Sequence, residues 1–138
     1  MIGEITLDVC ASRENAVVSS FIARTDSGSP RQRGVDCLAV SALAYDAQSG
    51  KRHTLWVFPP WAILSAVWSH LQATGARGII LAPRDMMYGQ VFEYMRTKAV
   101  RYTQIGSAGE AGVLRNPVGP VALKTDLFAM LFDFSLRV

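Results

Sequence analysis

The chain is poor in the residues from which catalytic centres are usually assembled. Two cysteines, Cys10 and Cys37, and two histidines, His53 and His70, are spread over 138 residues. No pair of them has the short spacing of a zinc site, so no metal centre is expected. A Gly-x-Ser-x-Gly elbow, a Walker loop and a His-Glu-x-x-His helix are all missing, which excludes the common hydrolase, P-loop and zincin signatures. Charge is sparse too, at 18% of residues. The excess of +3 is scattered over Arg31, Arg33, Lys51, Arg52, Arg96, Lys98 and Arg101 rather than gathered in one run, so charge alone points only weakly to an anionic partner. No stretch approaches the roughly 20 apolar residues of a membrane span. Met1-Ile2-Gly3-Glu4 also lacks the basic and apolar regions of a secretory signal. The expectation is a soluble, intracellular protein with no membrane contact. Each cysteine lies in an apolar stretch, which suits a buried, reduced thiol.

What the chain does have is apolar residues, half of the total. That is enough for one core, and a single domain over residues 1–138 is expected. Ile5 to Val9 alternates and reads as a strand running into a small-residue turn. Ser12 begins a capped helical turn whose apolar face would be Val17, Val18, Phe21 and Ile22. Thr25 to Gly34 reads as a polar loop, and Val35 to Tyr45 fits a strand or a buried helix equally well.

His53 to Phe58 is a β-rich run that stops at Pro59-Pro60, because proline offers no N–H to a ladder and holds its predecessor extended. Ile63, Leu64, Val67, Trp68 and Leu71 then recur at helical spacing, and Gly75 is a left-handed stop. Gly78 to Ala82 is a continuous apolar strand ending at Pro83. This unit of about 30 residues has the size of a βαβ crossover. Tyr88 to Lys98 reads as a helix, Val100 to Ile105 as a strand, Gly106 to Pro120 as a loop, and Leu123 to Phe134 as a long final strand. The order predicts an α/β fold: a small, Rossmann-like, mostly parallel sheet with an antiparallel C-terminal edge.

In such a sheet ligands collect beyond the carboxyl ends of the strands. Asp8, Phe58-Pro59-Pro60-Trp61 and Pro83-Arg84-Asp85 all fall there, so one crevice can hold them together. His53, next to Lys51 and Arg52, reads as an exposed residue where a strand starts. His70 sits near a helix end, where the dipole favours it.

Taken in order, Leu7-Asp8-Val9-Cys10-Ala11-Ser12 with Asn15 and Phe21, Asp36-Cys37-Leu38, Trp56-Val57-Phe58-Pro59-Pro60-Trp61 and Gly78-Ile79-Ile80-Leu81-Ala82-Pro83 carry a resemblance over most of the chain. The set resembles the phage-type adenine-N6 DNA methyltransferases, and most nearly the methyltransferase-like segment of DIRS-type retrotransposons. The resemblance implies a methyltransferase-like fold, S-adenosylmethionine as cofactor near Asp8, Asn15 and Asp36, and a degenerate catalytic motif at Pro59, Pro60 and Trp61. In that family an Asn or Asp before the two prolines accepts a hydrogen bond from the target amino group, and the aromatic residue after them stacks on a flipped base.

Here Phe58 holds the acceptor's place and has no acceptor. An amino group unpaired in a dry pocket costs roughly 1–3 kcal/mol. No Phe-x-Gly-x-Gly loop follows a strand. These departures imply a pseudoenzyme: a methyltransferase-like module that associates with DNA or RNA or with a protein partner. An active adenine-N6 methyltransferase and a structural subunit of a larger assembly are the alternatives.

Overall fold

The computed structural model describes residues 4–10, 20–23, 27–40, 43–46, 49–85, 87–116 and 119–135. The strands are β1 (Leu7–Asp8), β2 (Phe21–Ala23), β3 (Gln32–Val35), β4 (Leu55–Val57), β5 (Arg77–Arg84), β6 (Arg101–Gly106), β7 (Ala111–Asn116), β8 (Gly119–Ala122) and β9 (Asp126–Asp133). The helices are α1 (Leu64–Thr74) and α2 (Gly89–Lys98), with single 3₁₀ turns at Cys37–Ala39 and Trp61–Ile63.

Seven strands form one sheet in the order β3-β2-β1-β4-β5-β9-β6. The first five are parallel neighbours, and β9 runs antiparallel between β5 and β6. The fold is therefore the expected α/β, mostly parallel, Rossmann-like sheet. Its antiparallel C-terminal side is a pair, with β6 outermost.

The βαβ unit forms for the reasons visible in its residues. Leu64, Val67, Trp68 and Leu71 lie on one face of α1 and are all buried. Each such side chain contributes about 1.5–3 kcal/mol. Gly75 ends the helix at φ 69°, a left-handed conformation that only glycine adopts cheaply, and its N–H returns to Leu71 and Gln72. Gly78 meets a different demand. A Cβ there would stand 2.1 Å from the Leu55 carbonyl oxygen, so β5 can lie this close to β4 only with glycine at that position. β4 stops at Val57, opposite Ile80. Beyond Ile80, β5 pairs with β9 alone, and this one-sided stretch tolerates Pro83 inside the strand rather than at its end.

One face of the sheet packs Leu7, Val9, Leu55, Val57, Ile80, Ala82, Phe128, Met130 and Phe132 against α1 and α2. The other face carries a smaller cluster of Leu81, Leu123 and Leu127, with Trp56, Phe58, Trp61, Val113 and Ala129 packed on it.

Four expectations change. Phe21 and Ile22 belong to strand β2, not to a helical face. Gln32 to Val35, expected as loop or undecided, is strand β3. In the undecided stretch from Val35 to Tyr45, the described residues past β3 hold a 3₁₀ turn and one isolated bridge, Tyr45 to Arg52. The Gly106–Pro120 loop contains most of an antiparallel ribbon, β7 with β8. Residues 11–19, where the capped helical turn was expected, lie outside the described residues.

Candidate functional site

The chain runs outward from β1 to β2 and β3, then crosses back to β4 on the other side of β1. This places the topological switch point between β1 and β4, where Asp8 is in register with Trp56. Parallel strands put the carboxyl ends of β1, β3, β4 and β5 along one edge. Asp8, Asp36, the Phe58–Trp61 loop and Arg84 therefore share that edge. Asn15 lies outside the described residues.

Asp8 is a strand residue, 3% exposed, and is engaged in interactions of its own rather than standing free. Asp36 follows β3 directly. Its amide donates to the Ala23 carbonyl at 2.7 Å, and its Oδ1 accepts from the Leu38 amide at 3.2 Å, capping the 3₁₀ turn. Its φ of 59° makes it the one non-glycine residue in left-handed backbone among the described residues. That conformation costs on the order of 1–3 kcal/mol and has to be held by its surroundings. It turns the chain sharply, so that Cys37 faces back towards Cys10. Their sulfurs are 3.5 Å apart, and both thiols are free. The hydrogen bond from the Cys10 side holds the pKa of Cys37 below the ordinary thiol value. The same hydrogen bond, followed by burial, pushes that of Cys10 up.

In the Pro-Pro loop Pro59 is buried and Pro60 exposed. The Pro60 carbonyl accepts from Ile63, which starts the 3₁₀ turn leading into α1. Phe58 and Trp61 are half-buried, with ring centroids 5.4 Å apart and planes tilted by 44°, and both pack on the Leu81–Leu123–Leu127 cluster. Phe58 thus places a hydrocarbon ring immediately before the two prolines.

Arg84 and Asp85 do not pair with each other in a way that would make an acid–base couple. Arg84 lies over the Phe92 ring at 5.5 Å, and Asp85 accepts from the Tyr88 amide at 2.8 Å just ahead of α2. An open cleft of about 760 Å³ is lined by Arg84, Asp85, Gly89, Gln90 and Glu93. Arg84 and Lys124 are both exposed on this edge. They are brought near each other because Thr125 donates to the Arg84 carbonyl at 3.0 Å.

The cofactor implied by the resemblance, S-adenosylmethionine, does not fit the described groups. The Asp36 carboxylate is spent on a backbone cap, and Cys10 follows β1, where backbone would have to approach a ligand closely. No glycine occurs between Gly3 and Gly28, so the β1 exit has no position free of a side chain. Among the described residues no cluster of three or more His, Cys, Asp or Glu could hold a metal, and no helix is long and apolar enough to cross a membrane.

His53 departs from its expected exposure, whereas His70 lies in α1 as expected. His53 is 8% exposed, its Nδ1 lies 3.0 Å from Thr6 Oγ1 and its Nε2 3.9 Å from Asp46. Burial holds its pKa below the ordinary value. The adjoining Lys51 and Arg52 suggested exposure, but His53 precedes β4 in a run of three buried residues, His53 to Leu55, and its amide donates to the Ala44 carbonyl at 2.8 Å. His70 does sit in α1, and its Nε2 lies 2.7 Å from the Val40 carbonyl, which ties the helix to the segment after Cys37. The thiol pair was the feature that sequence reasoning missed. The apolar setting of each cysteine signalled burial but not proximity. In comparisons with known proteins, no family model and no curated protein matches the chain.

Proposed function

We propose that this chain is a degenerate methyltransferase-like domain that binds nucleic acid without transferring a methyl group. The strand order supports the architectural half of this reading. Five parallel strands in the order 3-2-1-4-5, followed by an antiparallel last strand inserted between the fifth and sixth of the main sheet, make a Rossmann-like sheet of the kind that the methyltransferase resemblance implies. The Pro59-Pro60-Trp61 loop stands at the carboxyl end of β4, beside the switch point, where such a fold binds its target. The observation that carries the loss of chemistry is Phe58. Its ring pairs with Trp61 and packs on an apolar cluster, leaving no side-chain acceptor for an amino group. Association with nucleic acid draws support from the half-buried aromatic Trp61 and from exposed Arg84 and Lys124, which lie on the same carboxyl edge of the sheet.

The test is binding of single-stranded and duplex DNA at a series of salt concentrations. Weak binding with a log–log salt slope of about −2 to −3 is expected, reduced by about one when Arg84 or Lys124 is replaced by Ala. Binding that ignores salt, or no binding at low salt, would refute the reading. Transfer of a methyl group to adenine in the same mixtures would support the active-enzyme alternative instead.

A second reading, a protein-interaction module or subunit, is favoured by one observation. β6 is an open sheet edge, its residues from Arg101 to Ile105 all exposed. Co-purification of a stoichiometric partner in high salt would support it.

A further inference from the structure

The Cys10–Cys37 contact is made by topology, not by sequence proximity. The two residues are 27 positions apart and follow β1 and β3, strands that β2 separates in the sheet. The strained turn at Asp36 brings the second sulfur back over β2 to the first. The cap from Asp36 to Leu38 and the contact of His70 with the Val40 carbonyl fix the segment that carries Cys37. Two free sulfurs held 3.5 Å apart need only a small side-chain movement to bond.

From this geometry we infer that Cys10 and Cys37 are an oxidative modification site, which a peroxide converts into an intramolecular disulfide joining the exits of β1 and β3. Cys10 is half-buried and opens the pair to solvent, whereas Cys37 is 7% exposed. Hydrogen peroxide, little larger than water, can enter from the Cys10 side. The Cys37 sulfur attacks one peroxide oxygen and the O–O bond breaks. The departing hydroxide takes up a proton as water, leaving a sulfenic acid on Cys37. The Cys10 sulfur then attacks the Cys37 sulfur, the S–O bond breaks, and hydroxide leaves with the Cys10 proton as a second water. Two thiols and one peroxide give one disulfide and two waters. The two sulfurs lose two electrons to the peroxide oxygens. The bond closes the switch-point end of the sheet on the β1 side, and the inference does not depend on what that end binds.

The test treats the native chain with hydrogen peroxide, quenches with an alkylating agent and measures the intact mass under denaturing conditions. The expected product is a monomer two hydrogens lighter that takes up no alkyl group. Its melting temperature should be about 5–10 °C higher than that of the reduced chain, because the cross-link removes conformations from the unfolded state. Dithiothreitol should reverse both changes, and the Cys10→Ser and Cys37→Ser chains should gain oxygen or remain unchanged in mass, with no rise in melting temperature. The mass readout on the unaltered chain stands whether or not those variants fold. Two alkylatable thiols after exhaustive treatment, oxygen uptake without loss of hydrogen, or a disulfide-linked dimer would each overturn the inference.

Discussion

The two halves of the sheet are built differently. On one side, β5 and β9 are eight residues each and pair over their full length, from Arg77 opposite Asp133 to Arg84 opposite Asp126. Trp68 stacks edge-on against Phe132 and Phe134 beneath them. On the other side, β1, β2 and β3 have two, three and four residues, and β1 meets β2 at a single register position. That narrow half nevertheless carries Asp8, the strained Asp36 and both cysteines. The wide half supplies cohesion, and the narrow half holds most of the groups that could do chemistry. Regions of low local stability are where mobile and functional elements tend to be drawn from.

The sharpest attempt to break this contrast is Trp68→Ala. Because the ring is fully buried in the wide half, a loss of about 3–5 kcal/mol is expected by urea denaturation. Trp68→Phe should cost much less, since the indole N–H is buried with no hydrogen-bond partner among the described residues. If Trp68→Ala cost under about 1 kcal/mol, cohesion would have to lie elsewhere.

Gly78→Ala comes next, with an expected loss of about 2–3 kcal/mol. The new methyl would meet Leu55 backbone, which cannot swing aside as a side chain can. A neutral result would mean that β4 and β5 are free to separate.

The smallest effect lies at the seam, where His53 joins Thr6 to Asp46. Its folded pKa is below the ordinary 6.5, so the neutral form is the one that suits the fold. Its contribution is fully present above about pH 6.5 and is lost as pH falls through the window beneath, because the unfolded chain then binds the proton first. The fall in melting temperature between about pH 8 and pH 5 should therefore be smaller in His53→Gln than in the unaltered chain. An equal fall in both would remove His53 from the account.

The same division decides what was legible. Strand, Pro-Pro, helix, glycine stop and strand could be read in the wide half because α1 is long enough to show its period and the prolines and Gly75 mark its limits. In the narrow half a three-residue strand cannot display alternation, and Phe21 and Ile22 sit at spacings from Val17 and Val18 that a helix would also use. The β7–β8 ribbon was hidden by its glycines, which suggest a loop but here take left-handed conformations at Gly112 and Gly119. At the site, the Phe58–Trp61 loop and Asp8 were placed correctly on the carboxyl edge by the order of elements alone. The packing of Phe58 on Trp61 was beyond reach, as was the meeting of Cys10 with Cys37. Both depend on contacts that strand order creates between distant residues.

The proposal is that the carboxyl edge of this Rossmann-like sheet does not bind S-adenosylmethionine, the cofactor that the methyltransferase resemblance implies. The most direct measurement is a titration with S-adenosylmethionine to millimolar concentration, followed through the backbone amide resonances of Asp8, Val9, Asp36, Cys37 and Phe58. The account predicts no saturable shift at any of them; saturable, clustered shifts at these strand ends would contradict it.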